Sequence, residues 1–493
     1  MIVLKNLILR SYQRAIFESA AKANTLVVLP TGLGKTAIAI ALVAARLTEL
    51  GGKALVLAPT KPLAAQHLKS FRAHLELEPD AISLLTGAIP LSKRAELWFS
   101  SKVIIATPQT VVSELRAGRS RLRDVVVLVI DECHHSRQRY ANTVIARRYL
   151  AEAASPRILA LTASPGGESA RIAEIKENLG IEAIEIRSHS DPDVAAYVQP
   201  RETIYINVEL GKELCALRDG FRRLYLESVR ELRKFGLTKP SSGVTKREIL
   251  ELQSRLVAMR TPASYYGLSI ASRALKLSHA IELLETQSVT ALKAYLERLA
   301  QDNSRAAAGL LSNPSFRALS NAVSSLSGSL HPKQAALSKL VLEQLSAKPG
   351  RKALVFVNFR QTVDELVELL STLPGISPAK LIGQREGMSQ RQQLAVLEAF
   401  ATGQYNVLVA TSIGEEGLDI VDVPIAIFYD SVPSEIRAIQ RSGRVGRLRP
   451  GRIYFLLTRN SRDQAYHWAA RRKESKMKST LRSMGQALRG KRW

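Results

Sequence analysis

What most constrains the fold is a set of short β-branched and aliphatic runs that alternate with longer segments of helical period. From Thr25 to about Leu210 these runs are TLVVL, KALVLA, KVIIA, VVVLVID and RILAL. The pattern resumes with KALVFV, NVLVA, IAIFY and RIYFLL. Runs that are apolar throughout suit strands covered on both faces, and the segments between them suit the crossover helices that parallel strands require. Two such blocks predict two α/β lobes built on parallel sheets. Between them, from about Gly211 to Gly328, the strand signal vanishes. RLYLESVRELRKF and ALKLSHAIELLETQSVTALKAYLERL place apolar residues at helical spacing, with loops near Thr238–Val244 and Leu311–Ser315. The predicted organisation is a first lobe over 1–210, an all-helical insertion over 211–330, a second lobe over 331–470 and a basic helix or tail over 471–493.

Charge narrows the function. The chain carries 70 Lys and Arg against 44 Asp and Glu, a formal charge of +26. A protein this basic is expected to meet a polyanion. The last 23 residues hold nine Lys and Arg and one acid, Glu474. Two cysteines, Cys133 and Cys215, argue against a disulfide framework or a cysteine-based zinc site and fit a reducing cytosol. MIVLKNLILR runs into Tyr12 and Gln13 too soon for a signal peptide, and no apolar run nears the roughly 18 residues of a membrane span. A cytoplasmic protein with no membrane partner is expected.

The chemistry is carried by short motifs in a fixed order. LPTGLGKT (Leu29–Thr36) follows a predicted strand and opens a predicted helix. Gly32 and Gly34 let the backbone curl so that N–H groups face phosphate oxygens at a helix N-terminus, with Thr31 beside them. Lys35 reaches the β/γ-phosphates and Thr36 places a hydroxyl on magnesium. The strict P-loop pattern wants Gly where this chain has Leu29. DECH (Asp131–His134) closes the strand Val125–Ile130, so its carboxylates lie at the crevice where α/β ligands bind. Asp131 is the candidate magnesium ligand, Glu132 the base that orients and deprotonates the attacking water, and His134 a coupling residue. QRSGRVGR (Gln440–Arg447) puts Arg444 and Arg447 three apart, both able to reach a γ-phosphate across a cleft, with Gln440 beside it. The expected cofactors are ATP and Mg2+, with Gln13 reading the adenine edge.

A second set of motifs faces a nucleic acid. APTKPL, LTG and ATPQT in the first block, and VNFR and ATSIGEEGLD in the second, end strands or open helices. Exposed hydroxyls, amides and helix N-termini at such places suit backbone phosphates. The candidates are Thr60, Lys61, Gly87, Thr107, Asn358 and Thr411; Gly417 and Asp419 are assigned to the nucleotide. Thr162 and Ser164 of TAS would link ATP state to strand grip. At 5% aromatics no stacking platform is visible, which argues against base-specific readout.

Together these motifs resemble superfamily-2 helicases of the DEAH/DECH kind. LPTGLGKT, LAPTKPL, LTASPG, ATSIGEEGLD and the insertion segment LKLSHAIELLETQSVTALKAYL are similar to the archaeal Hef and Fanconi anaemia M helicase family. The resemblance implies two RecA-like lobes with a thumb-like helical insertion. It also implies ATP-driven remodelling of forked or branched DNA at stalled forks, and hence DNA repair. Hef often carries a C-terminal nuclease domain; the chain ends at Trp493, so nuclease activity is expected to be absent unless a separate nuclease supplies it or the sequence is truncated, and a sliding clamp is a further expected partner class. Two other readings stand beside this one: an RNA-directed superfamily-2 ATPase, and a basic nucleic-acid-binding scaffold without turnover.

Overall fold

The computed structural model describes every residue except 1, 139, 167–168, 190, 198–200, 327, 329, 348–349, 384–385, 412–422, 432–450 and 491–493. Its first sheet contains β1 (Thr25–Val28), β2 (Lys53–Leu57), β3 (Ile82–Leu85), β4 (Val103–Ala106), β5 (Val125–Ile130), β6 (Ile158–Thr162) and β7 (Ala183–Ile186). All pair in parallel, in the order β3-β4-β2-β5-β6-β1-β7. The central strands β1, β4 and β6 are buried along their whole length, as their unbroken apolar runs require.

The second sheet contains β8 (Arg201–Val208), β9 (Ala353–Phe356), β10 (Pro378–Leu381), β11 (Val407–Ala410), β12 (Ile425–Phe428) and β13 (Gly451–Thr458), in the order β10-β11-β9-β12-β13-β8. It is also parallel. The two sheets form RecA-like lobes, and a helical bundle stands between β8 and β9 in the chain.

One boundary is corrected. β8 falls inside 1–210, yet it pairs along all eight residues with β13, from Arg201↔Gly451 to Val208↔Thr458, and so belongs to the second lobe. Ile204 and Ile206 pack onto that lobe's core, and the Tyr205 ring stacks on Phe455 at 5.6 Å. The insertion is therefore flanked on both sides by strands of the second sheet.

The bundle is built from helices Lys212–Leu232, Lys246–Met259, Pro262–Thr286, Val289–Ala300, Arg305–Leu311 and Pro314–Ser325. It holds two apolar cores. One, around Phe221, Leu284, Leu292 and Phe316, sits near the lobes; the other, around Leu232, Leu252, Leu256 and Ile270, sits toward the far end.

The C-terminal segment takes the helical of its two expected forms, but from an earlier start. A single helix spans Arg462–Gly490, starting nine residues before the expected boundary. It packs on the first lobe: Met477 and Leu481 are buried in that lobe's core with Tyr149, Ile172 and Ile184, and Arg482 pairs with Asp191 at 3.1 Å. Among the described residues no helix is long and apolar enough to cross a membrane.

Candidate nucleotide and nucleic-acid site

The phosphate-binding loop is shaped by backbone geometry that its glycines permit. Gly32 and Gly34 have φ of 85° and 76°, in the left-handed region open to glycine. Gly34 also lies so close to the Gln13 amide that a Cβ would collide with it. Gly34 caps the helix Lys35–Leu50 without any side-chain bond, so the first N–H groups of a 16-residue helix have no capping side chain. The Lys35 ammonium folds back to the Leu29 carbonyl at 3.1 Å. This is a cradle that fits an anionic phosphate.

Gln13 supports the loop from behind. Its Oε1 accepts from the Arg10 N–H at 2.9 Å and its Nε2 donates to the Leu33 carbonyl at 3.0 Å. Both ends of the amide are thus engaged, and an adenine would have to displace one of them. Tyr12 does more than pack: its buried hydroxyl donates to the same Leu33 carbonyl at 2.8 Å. Tyr12 also meets the Tyr197 ring edge-on at 5.8 Å, and the Arg10 guanidinium lies 4.9 Å over that ring.

The carboxylates stand at the end of β5. Asp131 is buried and accepts from the Glu132 N–H at 2.9 Å through Oδ1. Its Oδ2 meets His67 Nε2 at 2.8 Å. Burial pushes the Asp131 carboxyl up, but the His67 hydrogen bond and the charges of His67 and Lys35 outweigh it and hold the group below its ordinary value. An ionised Asp131 near Lys35 and the loop is the donor that a magnesium ion would take, with the Thr36 hydroxyl as the second ligand. When bound, the ion would neutralise phosphate charge.

Glu132 is held at φ 47°, an uncommon left-handed conformation for a non-glycine residue. His134 Nδ1 lies 3.2 Å from its Oε2, an ion-pair distance, but the alignment is not that of a hydrogen bond and Oε2 is a buried acceptor without one. A carboxylate oxygen with an open lone pair suits a base that must take a proton from water. Cys133, between these residues, is fully buried, and burial together with the neighbouring carboxylates pushes its thiol well up, so it is not a nucleophile.

From Glu132 a continuous line of contacts leaves the site. His134 Nδ1 also meets Thr162 Oγ1 at 3.2 Å, Thr162 Oγ1 accepts from the Ser164 N–H at 3.1 Å, and Ser164 Oγ contacts Met477 Sδ at 3.0 Å. The TAS segment thus joins the carboxylate to the C-terminal helix, a partner the sequence reading missed.

The candidate strand contacts divide. Lys61 and Gly87 are exposed at a helix start and a turn. Thr60 caps the helix Lys61–His74. Thr107 and Thr411 are buried, their hydroxyls bound to Thr110 and Glu386 at 2.8 and 2.9 Å, so those hydroxyls cannot meet a strand in this arrangement. The Asn358 N–H donates to Asp430 Oδ2 at 2.7 Å. Gln440, Arg444, Arg447, Gly417 and Asp419 lie outside the described residues.

Asp430 belongs to a buried network that sequence reasoning also missed. Fully buried Lys333 pairs with Asp463 at 2.6 Å and lies 3.8 Å from Asp430 and 4.6 Å over the Tyr429 ring. Burial pushes Asp463 up and Asp430 up to about 6. Gln287, at the end of insertion helix Pro262–Thr286, donates to Asp430 Oδ1 at 2.8 Å and accepts from the Thr362 hydroxyl at 2.6 Å. Arg462 donates its N–H to Glu285 at 3.0 Å. Insertion, second lobe and C-terminal helix are tied at one buried point.

Two RecA-like lobes, a phosphate loop and a carboxylate pair at a strand end define the class: an ATP-dependent helicase of superfamily 2. Residues 10–172 match the "DEAD/DEAH box helicase" family, 332–449 the "Helicase conserved C-terminal domain", and 213–326 the "Putative ATP-dependent RNA helicase, helical bundle". The solved helicase domain of Pyrococcus furiosus Hef is 40% identical, with a TM-score of 0.74 over 93% of this chain and 98% of that one. A "Putative ATP-dependent RNA helicase MJ1505" of Methanocaldococcus jannaschii is 38% identical over 98% of this chain and 62% of its own length. The "ATP-dependent DNA helicase mph1" of Neurospora crassa is 33% identical over 94% of this chain and 42% of its own length. The chain belongs to the Hef family of superfamily-2 DEAD/DEAH-box helicases. It spans less than two thirds of either curated relative. Membership implies ATP binding and ATPase activity.

Proposed function

We propose that this chain is a DNA-stimulated ATPase that translocates on forked or branched DNA and remodels it, in the repair of stalled replication forks. The observation that supports this most is the buried tie between Gln287 and Asp430. It fixes the helical insertion to the second lobe, so any ATP-driven movement of the lobes swings the insertion as well. Lys35 would hold phosphate, Asp131 and Thr36 the Mg2+, and Glu132 would take the proton of the attacking water. Arg444 and Arg447 would complete the site from the second lobe, which makes turnover depend on closure. A separate nuclease or sliding clamp would act beside it in the cytoplasm.

One observation favours a second reading. The family description of the helical bundle and the Methanocaldococcus relative both carry RNA in their names. ATP hydrolysis with fork DNA, linear duplex, single-stranded DNA and structured RNA, at one salt concentration, separates the two. The expected result is a low rate alone and the largest stimulation by forks. A rate unchanged by every polynucleotide sinks the proposal, and a maximum with RNA replaces DNA as substrate. Replacing residues 211–328 by a short flexible linker should leave single-strand-driven hydrolysis and abolish fork preference. An undiminished preference would place junction recognition in the lobes.

A further inference from the structure

The far end of the insertion exposes an apolar surface that its own fold does not use. Helix Lys212–Leu232 leaves the second lobe, and 21 residues carry it about 32 Å outward. The chain turns there, and helices Lys246–Met259 and Pro262–Thr286 form the hairpin that leads back. At this end Val257, Met259, Tyr265 and Tyr266 are 61%, 62%, 55% and 61% exposed. Single exposed apolar residues are ordinary; four within ten positions at one turn are a patch.

The patch is rigid. Arg260 takes a left-handed conformation at φ 49°, Thr261 caps the next helix in a reciprocal pair with Ser264, and Pro262 starts it. Both tyrosines therefore stand on the first turns of a well-founded 25-residue helix. Gly267 lets the turn Arg233–Phe235 approach, since a Cβ there would lie 2.9 Å from the Phe235 ring. That brings the Phe235 and Tyr266 rings to 6.3 Å.

Charge selects the occupant. Arg233 and Lys234, which precede Phe235, and Arg255 and Arg260, on the chain that leads into the tyrosine-bearing helix, are exposed and make no ion pair among the described residues. The nearby acids are already matched: Glu231 with Arg273, Glu248 with Lys239 and Glu251 with Arg247. Aromatic faces set among uncompensated cations suit bases and phosphates together.

We propose that Tyr265 and Tyr266 form a base-stacking contact for an unpaired nucleotide at the branch point of DNA, with Arg233, Lys234, Arg255 and Arg260 on the flanking phosphates. The proposal rests on the fork-remodelling reading and adds to it the feature that tells a branch from a plain duplex: in a duplex every base is already stacked. Stacking on a tyrosine is sequence-tolerant, so the proposal agrees with the expectation that base-specific readout is absent.

The test uses the full chain, a fork with unpaired 2-aminopurine at its branch point, and a linear duplex of equal length at the same salt. The parent is expected to quench the 2-aminopurine. The pair Tyr265→Ala/Tyr266→Ala should lose the quenching and about 10-fold or more of fork affinity, with linear-duplex affinity within about twofold. Tyr265→Phe/Tyr266→Phe should keep both signals, which separates stacking from a hydroxyl contact. Arg233→Ala/Lys234→Ala should weaken both DNAs and flatten the salt dependence. The proposal is overturned if the parent leaves 2-aminopurine unquenched, if the alanine pair binds forks like the parent, or if it loses fork and duplex affinity equally. Unchanged DNA binding with loss of a protein partner would also overturn it and make the patch a protein dock. Failure of the fork reading shows elsewhere, as greater ATPase stimulation of the parent by RNA than by forks.

Discussion

Glu132→Gln is expected to lower ATP turnover on the order of 10²–10⁴-fold while leaving ATP binding intact. The amide keeps the shape and the left-handed backbone of the native residue but cannot take a proton. Lys35→Ala should fail differently, because it removes a cation from a cradle whose other donors are backbone N–H groups, and nucleotide affinity itself should fall. Direct nucleotide binding and single-turnover hydrolysis on both variants distinguish the roles. Equal ATP affinity in both variants and the parent would show that Lys35 is not a phosphate ligand. Near-parental turnover in Glu132→Gln would move the base elsewhere.

Lys333→Met is expected to cost about 3–5 kcal/mol, the loss typical when one partner is stripped from a buried ion pair. Methionine fills a similar volume, so the cost comes from Asp430 and Asp463, left buried without a cation. The sign with pH follows from their directions. Both are raised in the folded protein, Asp430 to about 6 from an ordinary 3.8, so folding favours their protonated forms. Stability from such groups is full below the unfolded value and is lost as pH rises through the folded one. Removing Lys333 raises the folded values further. The deficit relative to the parent should therefore be largest near pH 8 and shrink as pH falls through 6 toward 5. Thermal unfolding of both proteins at several pH values checks this. A deficit independent of pH would mean that Lys333 contributes packing alone.

The residues that could be read from the chain are those whose meaning is local. LPTGLGKT and DECH each carry their strand, turn and helix start within a few positions, so their placement needed no partner. The strand cores were legible because burial on both faces leaves an unbroken apolar run. β8 was harder: Ile204 and Ile206 fit the edge of either sheet, and only pairing with β13 decides. His67 had a weak signal, lying with Ala64 and Phe71 on the buried face of its helix. Lys333 had none. A lysine is expected in water, and its partner Asp463 lies 130 residues away. The C-terminal helix hid its docking face because the residues buried along it, Asp463, His467, Ala470, Met477 and Leu481, mix polar with apolar types within a run of charges.

The pairing of β8 with β13 also sets an order of events during synthesis. Arg201 must wait for Gly451, 250 residues later, before its strand has a neighbour. At about 5–20 residues per second the ribosome takes roughly 12–50 s to deliver it. Throughout that interval Tyr205, Ile204 and Ile206 lack their sheet. The insertion, whose contacts are mostly its own, can fold meanwhile and stand as a spacer between the nascent halves. The first lobe likewise gains Met477 and Leu481 of its core only long after its last strand, Ala183–Ile186, has been made. Both lobes are thus completed within the same stretch of synthesis, residues 451–481, and a chain stopped short of residue 451 would carry an unpaired, partly apolar strand edge open to aggregation.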